Sequence, residues 1–134
     1  MKIYFCGSIR GGRQDAKLYR RLIEELKNYG TVLTEHIGAE AMDHTKTDRQ
    51  IHDEDMAWLQ ESDVVIAEVT TPSLGVGYEI GRAIEMGKPV FCLYRPQENR
   101  RASAMIKGSP KLEFVEYNSM AEATEYLEAF FNNI

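Results

Sequence analysis

A chain of 134 residues with 43% hydrophobic and 28% charged side chains has the length and balance of one globular domain, able to bury roughly two-thirds of its unfolded surface. Its formal net charge of -5 argues against a general nucleic-acid binder, which carries a basic face. A small phosphate ligand remains open, because backbone amides and one or two arginines can hold it locally.

The opening run Met1-Lys2-Ile3-Tyr4-Phe5-Cys6 is too short, and too soon broken by Gly7, for a secretory signal. No apolar run approaches the length of a membrane span. Cys6 and Cys92 both lie in apolar runs, where cysteine behaves as a small buried hydrophobe. They form neither a disulfide framework nor a zinc site, so a reducing, cytoplasmic setting is expected.

Ile3 to Cys6 reads as a buried strand, broken by Gly7-Ser8-Ile9-Arg10-Gly11-Gly12-Arg13. A helix begins at Asp15, with Leu18, Leu22, Ile23 and Leu26 on one face, and stops at Gly30. Thr31 to Leu33 is the second strand. Residues 34–47 lack a period and read as a loop carrying Glu35, His36, Asp43 and His44. Thr47 or Asp48 caps the next helix. Val64 to Val69 is near-continuously apolar, as suits a central parallel strand covered on both faces. A hydroxyl- and glycine-rich turn, Thr70-Thr71-Pro72-Ser73-Leu74-Gly75, opens a helix over 75–86 that ends at Gly87-Lys88-Pro89. Val90 to Tyr94 is the fourth strand, and the polar Arg95 to Arg101 segment reads as a mobile loop. A short helix near 102–106 precedes a fifth strand over 112–117. Ser119 caps the last helix, with Glu122 completing a capping box.

Five strands alternating with helices predict a single-domain α/β fold with a parallel sheet in the flavodoxin-like order 2-1-3-4-5 and helices on both faces. That order sets the loops after strands 1 and 3 on either side of a topological switch point, where ligands bind.

The glycine loops match neither the dinucleotide fingerprint nor a P-loop: Gly75, Gly77 and Gly81 are one residue too widely spaced, and no Gly-Lys-Ser/Thr occurs. Tight βα turns account for the glycines alone. Ser8, Arg10 and Ser73 beside a helix N-terminus point further, to a phosphate-sized anion site. Asp55 lies between Ile51 and Leu59 at i, i+4, i+8, on the face that should be buried, where an ionised carboxylate is costly. Glu79 sits on the inward stripe of its helix. A capping charge and a structural acid would explain each separately. Two inward acids at one crevice also form the pair that cleaves a glycosidic bond, one as nucleophile and the other as proton donor. His36, His44 and His52 recur every eight residues, but they fall on different elements with no ligand cluster to complete them. No metal is read from them.

Residues 4–13, Thr34-Glu35-His36, 51–55, 63–83, 92–97 and 103–106 together strongly resemble the 2′-deoxynucleoside 5′-phosphate N-hydrolases of the nucleoside 2-deoxyribosyltransferase superfamily. The match is collinear over nearly the whole chain, with a shorter loop between His36 and Asp48 than vertebrate members carry. The resemblance implies that Glu79 is the nucleophile on C1′, that Asp55 assists departure of the base, and that Tyr4 lies near the sugar and disfavours a 2′-OH. It assigns Cys6, Gly7, Ser8, Ile9, Arg10, Gly11, Gly12, His36, Ser73, Gly75 and Gly77 to the pocket walls and phosphate site. Ser103, Ala104 and Met105 match residues supplied across a homodimer interface, and no cofactor is implied.

Relatives acting on unphosphorylated nucleosides place Asp where Ser73 stands and Asn where Ser103 stands, so serine here implies a nucleotide substrate. Ribonucleotide-cleaving relatives tend to carry Phe where Tyr4 stands, which implies deoxyribose. The leading expectation is therefore hydrolysis of deoxynucleoside 5′-monophosphates to free base and 2-deoxyribose 5-phosphate through a glycosyl-Glu79 ester. Base exchange, a ribonucleotide (CMP-type) N-glycosidase and a non-catalytic nucleotide sensor are the alternatives.

Overall fold

A computed structural model describes residues 1–8, 15–35 and 45–134. The elements are β1 (Lys2–Cys6), α1 (Ala16–Leu26), β2 (Thr31–Val32), α2 (Asp48–Glu61) and β3 (Val64–Glu68). They continue with α3 (Leu74–Glu85), β4 (Val90–Tyr94), α4 (Ala104–Lys107), β5 (Glu113–Glu116) and α5 (Met120–Asn132). The five strands form one sheet in the order β2-β1-β3-β4-β5, and every pairing is parallel. The predicted architecture is the observed one.

The period of two along each strand divides the core between the faces. Ile3, Phe5, Val64, Ile66, Phe91 and Leu93 pack with α1 and α5, against Leu22, Leu26, Leu127 and Phe130. Tyr4, Cys6, Val65, Ala67, Val90 and Cys92 face α2 and α3, against Leu59, Val76, Ile80 and Ala83. Both faces of β3 are fully buried, which explains its apolar run and places it at the centre of the sheet. Among the described residues, no helix is long and apolar enough to cross a membrane.

Local chemistry sets the helix ends that matter for the site. Thr47 closes α2 with a full capping box: its hydroxyl accepts from the Gln50 amide at 3.1 Å, and the Gln50 side chain accepts from the Thr47 amide at 2.9 Å. Ser73 caps α3 by accepting from the Val76 amide at 3.2 Å. Gly87, at φ +75°, turns the chain out of α3 ahead of Pro89.

Three expectations change in detail. Gly30 is a point of close approach rather than a helix cap, because α1 ends at Leu26 with Lys27 as its C-cap and a Cβ on Gly30 would stand 2.2 Å from the Met1 carbonyl oxygen. Glu122 accepts from the Asn118 amide at 3.2 Å, so its carboxylate holds the residue before the cap instead of the cap itself. Asp15 occupies the N-cap of α1 but makes no capping bond, because its carboxylate is committed to Arg95. Arg95 in turn does not start a free loop: its amide donates to Thr70 Oγ1 at 3.0 Å and its guanidinium lies 2.9 Å from Asp15.

Candidate active site

α2 and α3 both run back from the carboxyl ends of the strands, so their first turns lie side by side at the switch point beside β1. Between them opens a cleft of about 680 Å³ lined by Asp55 and His52 of α2, Ser73, Gly75 and Glu79 of the α3 segment, and Gly7 at the end of β1. Asp55 and Glu79, which the helical spacing turns inward, share one cavity.

Burial is the main influence on both carboxyls. It raises Glu79 to about 7, with the nearby Asp55 charge adding to the effect and a hydrogen bond from the Tyr4 hydroxyl opposing it. Burial raises Asp55 to about 6, with Glu54 adding and Lys46 opposing. The Tyr4 hydroxyl itself is pushed up, first by burial and then by Glu79, so it stays protonated and donates to the carboxylate. Both acids thus titrate closer to neutrality than an exposed carboxyl does.

This has a consequence for stability. Between the unfolded glutamate value of about 4.3 and about 7, the folded chain binds more protons at Glu79 than the unfolded chain does. Stability from this group is full below the lower value and is lost as pH rises through the upper one. Glu79→Gln is expected to raise the melting temperature by a few degrees at pH 8 and to change it little at pH 4, read by calorimetry.

The N-terminus of α3 beside Glu79 suits an anion. Ser73 Oγ spends a lone pair on the Val76 amide, leaving the hydroxyl proton free to donate outward. Gly77 donates its amide to the Ser73 carbonyl at 3.1 Å, while the amides of Leu74 and Gly75 precede the first intrahelical bond and have no acceptor within α3. A Cβ built on Gly75 would lie 3.8 Å from Ser73 Oγ and 3.9 Å from Glu79 Oε1. These are ordinary contacts, so a side chain here fits the fold and fills the space between anion site and carboxylate. Gly75→Ala is expected to keep or slightly raise the melting temperature, because alanine favours the helix. Turnover should nonetheless fall about tenfold or more as the ligand is displaced.

The remaining predicted residues are placed as follows. Cys6 is buried beneath the cleft, its Sγ 3.9 Å from the Ile66 carbonyl oxygen. Ser8 is fully buried, and its amide donates to the Tyr19 hydroxyl at 3.1 Å. Gly77 lies across α3, on a second groove of about 450 Å³ that also takes in Ser103, Met105 and Leu74. Met105 and Leu74 are 83% and 97% exposed, and Ala104 is exposed beside them. Ile9, Arg10, Gly11, Gly12 and His36 lie outside the described residues. Among the described residues there is no grouping of His, Cys, Asp and Glu that would hold a metal.

Sequence reasoning missed one feature of the cleft. His52 Nε2 meets the Tyr78 hydroxyl at 3.0 Å, tying α2 to α3 at the rim. Arg82 donates to the same oxygen at 2.7 Å, which leaves the Tyr78 proton to point at His52. Nδ1–H of His52 then faces Asp53 at 2.9 Å. The available signal was His52 standing one helical turn before Asp55, and Tyr78 preceding Glu79.

Residues 3–124 match the family described as Nucleoside 2-deoxyribosyltransferase, and the chain belongs to that family. At the level of particular relatives, it is 54% identical to 5-hydroxymethyl-dUMP N-hydrolase of Tetraodon nigroviridis, over 99% of each chain. It is 46% identical to the protein of the same name from Danio rerio, over 100% of this chain and 98% of the relative. The fold is shared with the CMP N-glycosidase BcmB of Clostridium botulinum, at TM-score 0.72 and 22% identity, over 97% of this chain and 99% of that one. It is also shared with the 2-deoxyribosyltransferase of Bacillus psychrosaccharolyticus, at TM-score 0.69 and 17% identity, over 98% and 96%.

Proposed function

We propose that this protein hydrolyses the N-glycosidic bond of 2′-deoxynucleoside 5′-monophosphates, releasing the free base and 2-deoxyribose 5-phosphate. The observation that carries the reading is the pair of half-buried carboxyls, Asp55 and Glu79, facing one cleft with a hydroxyl-capped helix N-terminus beside them. The names borne by the Tetraodon and Danio relatives support the same reaction and substrate class.

In the first step Glu79 attacks C1′ as the C1′–N bond breaks. The bond's electron pair leaves with the base, and Asp55 supplies a proton to it. Tyr4 steadies the Glu79 carboxylate by donating to it, offsetting part of the cost of burial. In the second step water attacks C1′ of the glycosyl ester and Asp55 takes the water's proton. Free Glu79 and the sugar phosphate are released. The 5′-phosphate sits on Ser73 and the uncommitted amides of α3, so the helix fixes its distance from C1′. The residues on 9–12 and His36 belong to the same pocket on this reading.

A homodimer fits the exposed Leu74 and Met105 on the groove that carries Ser103, since the segment Pro72 to Val76 borders both that groove and the cleft. A second copy there would complete each site with Ser103, Ala104 and Met105. The domain spans residues 1–134, and a cytoplasmic setting agrees with two free, buried cysteines.

Base release from dGMP, dCMP, dTMP, a 5-substituted dUMP, GMP and deoxyguanosine, measured in parallel, tests the reading. Release from the deoxynucleotides alone is expected. Equal release from deoxyguanosine would remove the phosphate site from the account, and absence of release with tight binding would favour a sensor. A second free base in the mixture yielding a swapped nucleotide would indicate exchange instead of hydrolysis.

A further inference from the structure

On the sheet face opposite the cleft, a carboxylate is buried where an apolar side chain would be less costly. Glu68 ends β3, is 0% exposed, and lies on the α1 side of the sheet. It accepts from the Thr70 amide at 2.8 Å, from the Thr70 hydroxyl at 2.9 Å and from the Tyr117 hydroxyl. Arg95 Nε, itself buried and without a hydrogen bond, faces Glu68 at 3.6 Å, while Arg95 Nη2 reaches Asp15 at 2.9 Å. Asp15 closes the loop by accepting from the Thr71 hydroxyl at 3.4 Å. The circuit joins the segments after β3, β4 and β5 to the start of α1.

Such a circuit is a poor way to gain stability, because desolvating the charges largely offsets their attraction. Its geometry is more informative. On one side, Thr70 and Thr71 lead within two residues to Ser73. On the other, the Asp15 carbonyl accepts from the Tyr19 amide at 2.9 Å, one turn into α1. The Tyr19 hydroxyl accepts from the Ser8 amide, and its ring occupies the space a Cβ on Gly7 would need, with 2.9 Å between them. Gly7 and Ser73 both line the cleft. Each wall therefore hangs from one end of the same circuit.

We propose that the Glu68–Arg95–Asp15 circuit is a positioning device that sets the spacing between the Gly7–Ser8 wall and the Ser73 wall, and so the fit of the substrate's 5′-phosphate. Arg95 and Asp15 are positioning residues that act through Tyr19 and Thr71 without touching the reacting atoms. The proposal rests on the nucleotide-hydrolase reading and deepens it.

The test uses the full chain with Asp15→Asn, Arg95→Gln, the double variant, and Arg95→Lys as the conservative change. Base release is measured from a deoxynucleoside 5′-monophosphate and from the corresponding deoxynucleoside, alongside the melting temperature. Each single variant is expected to raise KM for the nucleotide about tenfold with kcat within about twofold, and to leave the slow nucleoside reaction unchanged. The double variant should be no worse than Arg95→Gln, since either change opens the same circuit. Arg95→Lys should fall between, its single ammonium meeting one acid at a time.

Equal losses on nucleotide and nucleoside, or a lowered melting temperature with KM unchanged, would make the circuit merely structural and overturn the proposal. If Arg95→Gln does not fold, Asp15→Asn and Arg95→Lys carry the same comparison. Amide shifts of Ser8 and Leu74 on titration with 2-deoxyribose 5-phosphate give a readout independent of turnover. Wild type should move both at one concentration, and the variants should need about tenfold more. Wild-type protein that binds the sugar phosphate but releases no base would fail the functional reading alone, whereas unaltered titration in the variants would fail the positioning proposal alone.

Discussion

Glu79→Gln is expected to bind a deoxynucleoside monophosphate with near wild-type affinity and to lose turnover on the order of 10⁴-fold or more. The amide keeps the size and one oxygen of the carboxylate, so the cleft keeps its shape. What it removes is the attacking anion. The other lining carboxyls, Asp48 and Asp55, are on the other helix, and Tyr4 holds its proton tightly. Trapping provides a second readout. Wild-type enzyme quenched in acid during turnover should carry a mass increment equal to deoxyribosyl phosphate on the peptide containing Glu79, and the variant should carry none. Near-normal turnover by Glu79→Gln would sink the nucleophile assignment. So would an adduct on another residue.

Asp55→Asn is expected to cost about 10²- to 10⁴-fold in turnover, the usual scale for losing a positioned acid. The size of the loss should depend on the leaving group. A purine or pyrimidine departs as a poor anion unless protonated, whereas p-nitrophenolate departs unaided. 4-Nitrophenyl 2-deoxyriboside 5-phosphate should therefore be hydrolysed by the variant within about tenfold of wild type. The pH profile gives an independent check. Wild type works with one proton on the pair, so turnover should peak between about 6 and about 7 and fall on both sides. Loss of that last proton produces the alkaline limb, and Asp55→Asn should abolish the limb because no donor remains to be deprotonated. An equal loss on the natural and the nitrophenyl substrate, with the limb intact, would assign Asp55 a structural role.

These two effects have distinct structural origins. Glu79 is placed by its own helix, through the Ser73 cap that starts α3. Asp55 is placed by a helix whose N-terminus is fixed independently by Thr47 and Gln50. The sheet brings them together, since β1 lies beside β3 and its Tyr4 reaches Glu79 from below. A change that shifts α2 against α3 would then disturb the pair without touching either acid. The His52–Tyr78 bond at the rim, together with the apolar packing of Leu59 and Val76 beneath it, opposes such a shift.

The parallel sheet was legible in the sequence from the alternation of strands with helices, and both cleft acids from local periodicity. A continuous apolar run identifies a strand covered on both faces, and a carboxylate among i, i+4, i+8 apolar positions must face inward whatever the topology. Tertiary structure alone decided what those inward acids meet. Nothing local to Tyr4 or Glu79 says that they touch, because the contact depends on the register Tyr4 with Val65 across two adjacent strands. The same holds for Arg95, which reads as the first residue of a polar loop and becomes the centre of a partly buried circuit once three strand ends converge on it. Gly30 and Glu122 were misread for a related reason: their partners, Met1 and Asn118, are set by where the backbone passes, which composition does not encode. The sequence by itself determined which residues turn inward. Packing determined which of them share a cavity, and burial within that cavity raised both acids to the range in which one can attack while the other holds a proton.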